Sequence, residues 1–221
     1  MNAVAFDISA ACAGFIFAMN IVEGFFKAGI YKTALIIGAE TLSKVTDWSD
    51  RGTCVLFGDG AGAAVLKAEE TGIIDMMMGA DGTKGDVLAC TSRTVGNFLT
   101  GTKPELGFMT MDGQEVFKFA VRKVPESVME LLQRTGTKKE DIKYYVLHQA
   151  NERIIEAAAR RLKEPMEKFP MTIGQFGNTS TASIPLLLDD MIRKDMLKRG
   201  DKIIMSGFGA GMTWGAVLME W

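Results

Sequence analysis

The chemistry open to this chain rests on four places: Cys12, His148, Asn178 and the run Gly207-Phe208-Gly209-Ala210-Gly211. Cys12 stands between an apolar, strand-like stretch at residues 3–8 and a helical pattern over residues 13–28. A helix start offers unpaired N–H groups and partial positive charge, which favour a thiolate. The alternative is a buried cysteine acting as a small hydrophobe. His148 is the only histidine and directly follows a strand-like run. Taken alone it reads as a satisfied structural residue. Asn178 stands just before a helix, where an N-cap is the ordinary role. The glycine run lies between two strands, and is either turn chemistry or a source of backbone N–H groups aimed at an oxyanion. Taken together the four suit acyl transfer, with a sulfur nucleophile and His and Asn donating to a developing oxyanion. One histidine excludes, within one chain, any mechanism that needs two.

The elements that must hold these residues alternate between helix and strand, which makes the class α/β. Residues 13–28 are apolar nearly all round, so a buried helix is expected, ending at Gly29. Residues 33–38 read as a strand covered on both faces. Residues 42–53 are polar and irregular. Gly58-Asp59-Gly60-Ala61-Gly62-Ala63 looks like a dinucleotide loop, but a strand-like run follows where that fingerprint needs a helix. Glycines that allow two elements to approach closely are the better reading. A strand is expected at 72–79, where Met76-Met77-Met78 reads as core filler. Residues 81–104 look like a loop. A long amphipathic helix is expected over 113–135, interrupted or bent near Pro125. A strand at 143–147 runs into His148-Gln149-Ala150-Asn151, a polar cluster at a strand's carboxyl end, where open α/β sheets place ligands. Helices at 151–162 and 179–198, the second with Pro185 near its start, and strands at 202–206 and 216–221 complete the pattern.

Composition narrows the class. The 221 residues suffice for a real core, and 48% hydrophobic with 24% charged is an ordinary globular mix. A net charge of -2 gives no global case for nucleic acid or membrane binding. Cys12, Cys54 and Cys90 are sparse, odd in number and without a CxxC pair, which argues against a disulfide framework or a zinc site and fits a reducing cytoplasm. No apolar run is long enough to span a membrane. Met1-Asn2-Ala3 carries no basic region of a signal peptide.

Seven runs in order along the chain carry a resemblance: Asp7-Ile8-Ser9-Ala10-Ala11-Cys12-Ala13-Gly14-Phe15, Arg51-Gly52-Thr53, Phe57-Gly58-Asp59-Gly60-Ala61-Gly62-Ala63, Met111-Asp112-Gly113-Gln114-Glu115-Val116-Phe117, His148-Gln149-Ala150-Asn151, Gly177-Asn178-Thr179-Ser180 and Gly207-Phe208-Gly209-Ala210-Gly211-Met212-Thr213-Trp214-Gly215. The chain resembles the β-ketoacyl-acyl carrier protein synthase III family, the initiating condensing enzymes of bacterial fatty acid synthesis. The resemblance implies a thiolase-like fold: residues 1–70 would be the C-terminal portion of the first half, carrying the nucleophile, and residues 71–221 the complete second half, carrying His148 and Asn178. It implies acyl-CoA and malonyl-acyl carrier protein as substrates, a homodimer, a cytoplasmic location, and no metal or redox cofactor. Cys12 would take the acyl group. His148 and Asn178 would hold the thioester oxygen of the malonyl group. The N–H groups of Cys12 and Ala210 would form the oxyanion hole, with Ala210 where many relatives carry Gly. Phe208 would pack near His148, and Arg51, Gly113, Phe117 and Asn151 would line the CoA and pantetheine tunnel. Acidic carrier proteins would dock on Arg153, Arg160, Arg161, Lys163, Lys118 and Arg122, for which an ordinary solvated helix face is the alternative. Elongating synthases use two histidines, and thiolases carry a second cysteine in the C-terminal glycine loop, where this chain has Met212. Type III polyketide synthases, which share Cys, His and Asn, remain an alternative. So does a non-catalytic fragment, because the stretch preceding the nucleophile strand in the family lies outside these residues.

Overall fold

The computed structural model describes residues 3–90, 96–103 and 107–221. Its layers follow from which strand faces are apolar. Helix α1 (Gly14–Lys27) is followed by an antiparallel pair, β1 (Thr33–Glu40) and β2 (Gly60–Lys67). Strand β3 (Ile73–Ala80) leads to the short pair β4 (Leu88–Cys90) and β5 (Met109–Met111). Then come α2 (Gly113–Thr135), β6 (Ile142–Leu147), α3 (Glu152–Leu162), the single turn α4 (Ile173–Phe176), α5 (Ser183–Arg193), β7 (Lys202–Gly209) and β8 (Thr213–Glu220). The main sheet has the order β3-β8-β7-β6, with β6 and β7 parallel and the other pairs antiparallel.

Side chains alternate across that sheet. Val146, Ile203, Met205 and Val217 point into a core with Phe15, Ile16 and Met19 of α1 and Ile184, Leu187 and Met191 of α5. Tyr145, Leu147, Ile204, Phe208 and Leu218 join the opposite core with α2 and α3. Helices α1 and α5 also pack on the β1–β2 pair, so they lie between the two sheets, with α2 and α3 outside the larger one. Both strands beside β7 are thus covered on both faces, and the carboxyl ends of β6 and β7 are held rigidly where the site lies.

The glycines of residues 58–62 act as spacers. A Cβ on Gly58 would overlap Phe176 O, and one on Gly62 would meet Pro185 Cβ at 2.9 Å. The run opens a strand, not a helix, which excludes the dinucleotide loop and bears out the close-approach reading. Helix α2 starts on Asp112, whose side chain accepts from Gln114 N and Glu115 N, and ends at Gly136 with φ 67°.

Several expectations need correction. Residues 3–8 form no strand; they have no ladder partner among the described residues, and Val4 and Phe6 are 68% and 58% exposed. A strand exists only through its pairing, and apolar content alone does not supply a partner. Strand β1 is covered on one face only, with Leu35 and Ile37 exposed. Residues 81–90 are a 3-10 segment (Gly82–Val87) and β4, not loop, while 91–95 and 104 of that expected loop lie outside the described residues. Helix α2 runs unbroken through buried Pro125. The helix expected at 179–198 is a 3-10 turn (Ser180–Ala182) followed by α5, which stops at Arg193. Gly207 to Gly209 belong to β7, and the hairpin turn is the shorter residues 210–212.

Candidate active site

Cys12 lies in a 3-10 turn, Ala11–Ala13, that feeds directly into α1. Ala11 has φ 47°, a left-handed conformation unfavourable for a residue with a Cβ. The turn is pinned from two sides. Thr181 Oγ1 donates to Ala11 O at 2.6 Å, and Thr213 Oγ1 donates to Ala10 O at 3.1 Å. Gly209 provides the close approach on the β7 side: a Cβ there would stand 2.6 Å from Cys12 N. The strand that pairs with β6, and so with His148, therefore lies against the nucleophile turn.

Cys12 is buried, the alternative that the sequence left open, and burial opposes the thiolate that a helix start favours. Desolvation pushes the thiol up to about 11, since a buried anion loses its hydration. A hydrogen bond with the Ser180 side chain opposes that rise, and the negative charge of Glu40 adds to it. Ser180 Oγ donates to Glu40 Oε1 at 3.1 Å, so the hydroxyl is engaged with the carboxylate that also acts on the thiol.

His148 leaves the end of β6 with its backbone N–H on Ser206 O at 2.8 Å. Its ring is 2% exposed and meets Phe208 edge to face, 5.5 Å between centroids, as the resemblance implied. Nδ1 is 2.6 Å from Ser183 Oγ. Burial pushes the imidazole down to about 3, so it is neutral at ordinary pH. Gln149, the next residue, braces the turn: Nε2 donates to Leu147 O at 2.8 Å, and Oε1 accepts from Thr172 N at 2.9 Å.

Asn178 is 7% exposed and follows Gly177, which has φ 66°. Gly58 N donates to Asn178 O at 2.9 Å, and Asn178 N donates to Leu56 O at 2.8 Å. Its Oδ1 accepts from Ser180 N at 2.9 Å. The N-cap role read from the sequence is not what forms: Thr179 caps the following 3-10 turn without a side-chain bond, and Asn178 makes a local i to i+2 bond instead, which fixes Oδ1 as the acceptor and leaves the NH₂ as the donor end.

One segment ties the three together. From Asn178, Ser180 reaches Cys12, Thr181 reaches Ala11 and Ser183 reaches His148. Sequence reasoning missed Ser180, Ser183 and Glu40. The two serines lie within five residues of Asn178, a signal of sorts. Glu40 is 140 positions from its partner and gives none.

The other expected residues are more dispersed. Arg51 is exposed on a turn held by Asp50, which accepts from Gly52 N at 2.8 Å and Thr53 Oγ1 at 2.6 Å. An open cleft of about 680 Å³ runs from this turn to the start of α2, lined by Asp50, Gly52, Thr53, Asp86 and Gly113. Phe117 is 37% exposed on α2. Asn151 caps α3, its Oδ1 accepting from Arg153 N at 2.9 Å. Among the expected docking cations, Lys118 pairs with Glu115 at 2.7 Å, Arg160 with Glu156 at 3.6 Å and Arg122 with Glu126 at 4.0 Å. Arg161 Nη1 donates to Val121 O at 2.6 Å. Lys163 is the C-cap of α3. Arg153 is exposed. Among the described residues no helix is long and apolar enough to cross a membrane.

A family profile described as 3-oxoacyl-[acyl-carrier-protein] synthase III matches residues 6–82, and one for the C-terminal part of the same enzymes matches residues 132–221. A β-ketoacyl-[acyl-carrier-protein] synthase III of Clostridium acetobutylicum is 50% identical over 222 residues, covering 100% of this chain and 68% of the relative. The chain belongs to the β-ketoacyl-acyl carrier protein synthase III family. It is an acyltransferase of the condensing type, with the thiolase-like fold over part of the family's length. The crystal structure of the Aquifex aeolicus synthase III superposes with a TM-score of 0.88 at 45% identity, covering 98% of this chain and 67% of that one. The Pseudomonas aeruginosa synthase III gives 0.91 at 39% identity, covering 99% and 67%. The two motif-bearing stretches matched by the profiles contain Cys12 on one side and His148, Asn178 and the 207–211 run on the other.

Proposed function

We propose that this chain carries out the decarboxylative condensation of an acyl-CoA, acetyl-CoA being the expected one, with malonyl-acyl carrier protein. The single observation behind this reading is that one segment, residues 178–183, contacts the Cys12 turn and the His148 ring and orients its own Asn178 carboxamide by a bond from Ser180 N to Oδ1.

Cys12 sulfur attacks the acyl carbonyl of acyl-CoA, and CoA leaves as the thiol. The thiol proton must depart as the C–S bond forms, since the resting group is protonated. The N–H groups of Cys12 and Ala210 stabilise the tetrahedral oxyanion, and the close approach of Gly209 to Cys12 N supports their convergence. Malonyl-carrier protein then loses carbon dioxide. Neutral His148 and the Asn178 NH₂ donate to the thioester oxygen, where the enolate charge collects. The resulting carbanion attacks the acyl-Cys12 carbonyl, and collapse expels the Cys12 sulfur. Arg51, Gly113, Phe117 and Asn151 border the CoA and pantetheine approach, alongside the cleft at the head of α2.

The test follows the two half-reactions separately. Labelled acetyl-CoA should acylate Cys12 in the unaltered chain and not in Cys12→Ser, because a serine hydroxyl lacks a strong base here. His148→Ala and Asn178→Ala should each lower carbon dioxide release by about 100- to 1000-fold while acylation falls much less. Retained condensation by Cys12→Ser, or equal loss of both steps in the other two, overturns these roles.

A further inference from the structure

His148 needs a hydrogen on the correct ring nitrogen. A neutral imidazole carries one N–H, and only that nitrogen donates. Ser183, the first residue of α5, sits 2.6 Å from His148 Nδ1 and is 2% exposed. Its Oγ also accepts from Gln149 N at 3.3 Å. The Gln149 N–H can only donate, so it occupies one lone pair of the hydroxyl. Among the described residues these two atoms are the hydrogen-bond partners of Ser183 Oγ. The hydroxyl hydrogen then has one acceptor, the lone pair of Nδ1. The opposite arrangement, with Nδ1–H donating to Oγ, leaves a buried hydroxyl hydrogen without a partner.

We propose that Ser183 is a positioning residue: by donating its hydroxyl hydrogen to Nδ1, it holds His148 in the Nε2–H tautomer, the form able to donate to the malonyl thioester oxygen. This rests on the donor role given to His148 above. Phe208 restrains the same ring edge to face, and the brace from Gln149 through Leu147 O and Thr172 N holds the backbone N–H that orients the hydroxyl. The hydroxyl therefore selects a tautomer, and the ring's neighbours hold its plane.

The chain's single histidine makes the tautomer directly readable. Incorporating ¹⁵N-histidine gives one pair of ring nitrogens, whose long-range coupling pattern separates Nε2–H from Nδ1–H. The unaltered protein should show a neutral ring protonated at Nε2. Ser183→Ala should shift the population toward Nδ1–H and reduce kcat for malonyl-thioester decarboxylation by about tenfold or more, with KM and Cys12 acylation changed only a few-fold. Ser183→Thr, which keeps the hydroxyl, should restore the Nε2–H pattern. An Nδ1–H ring in the unaltered protein overturns the proposal, and that measurement stands even if Ser183→Ala fails to fold. An unchanged ring pattern in folded Ser183→Ala overturns it too. A shifted tautomer with full decarboxylation leaves Ser183's hold on the ring intact and overturns the donor role of His148.

Discussion

Cys12 and His148 are both buried, and burial acts on them in opposite senses. It raises the thiol and lowers the imidazole, so each favours its neutral form. At Cys12, burial outweighs what a helix start offers a thiolate: desolvation by the packed fold is the largest effect, opposed by a hydrogen bond with Ser180 and reinforced by the charge of Glu40. Glu40 ends β1 and Ser180 follows Asn178; neither is near Cys12 in sequence. Glu40 raises the thiol by its charge, so Glu40→Gln should lower it and increase the thiolate fraction at a given pH. Iodoacetamide labelling of Cys12, mapped apart from Cys54 and Cys90 by mass spectrometry, should therefore be faster in the variant at pH 8. In the unaltered protein the rate should climb about tenfold per pH unit with no plateau until near pH 11. A slower or unchanged rate in Glu40→Gln would remove the carboxylate from the account. His148 carries a stability consequence as well. Its folded value of about 3 lies below the ordinary 6.5, so the unfolded chain binds a proton that the folded chain refuses. Its contribution is fully present above pH 6.5 and is lost as pH falls toward 3. Across that window stability should drop by up to about 1.4 kcal/mol per pH unit more in the unaltered protein than in His148→Ala. Parallel denaturant-midpoint profiles would contradict a buried neutral ring.

At the scale of elements, α2 shows how tertiary contact overrides a local rule. Pro125 has no N–H, so the carbonyl of Val121 loses its helical partner. Arg161 of α3 supplies one at 2.6 Å, and the helix continues unbroken. Periodicity in the sequence marked both helices; the arginine 40 positions on was invisible to it. Removing that donor in Arg161→Met should cost about 1 kcal/mol by denaturant titration. In a Pro125→Ala background the cost should shrink, because residue 125 then has its own N–H for Val121 O. Equal costs in both backgrounds would separate the arginine from the proline. Arg161 is thus engaged within the fold, and Lys118, Arg160 and Arg122 have acidic neighbours on their own helices. These exposed pairs are weak, and each sets an acid beside the cation. Arg153 is the sharper probe of carrier docking. Arg153→Glu places an acid in the first turn of α3, which suits the helix, so loss of fold would not explain an effect. It should raise KM for malonyl-carrier protein several-fold at low salt, less at high salt, and leave KM for acyl-CoA unchanged. A carrier KM indifferent to both the variant and salt would favour a plain solvated face. Strands were legible where an apolar run met a turn signal, as at β6. Residues 3–8 and the far face of β1 misled because an apolar residue says that it seeks burial, not that a partner is in place.

For the molecule as a whole, the uneven cover of its two sheets matters most. The main sheet has helices on both faces, and its order positions β7 between His148 and the nucleophile turn. The β1–β2 pair has helices on one face only. On its other face Leu35 lies directly opposite Val65 in the register, with Ile37 two residues on; they are 59%, 71% and 61% exposed. Val4 and Phe6 are exposed as well. Side-by-side large apolar residues on an open strand pair are a recognised route to association. The polypeptide of these 221 residues should therefore self-associate in solution, its weight-average mass rising with concentration in light scattering. Leu35→Lys combined with Val65→Lys removes the central pair and adds like charges facing each other, which opposes stacking of two such faces. That variant should show a lower mass at equal concentration and an unchanged circular dichroism spectrum, since neither side chain belongs to a core. Cys12 acylation by acetyl-CoA should also be retained, because the site depends on the opposite face, where Gly38 lets β1 approach Thr181. A monodisperse monomer for the unaltered polypeptide, at every concentration, would show that this apolar face is tolerated in water and drives no association.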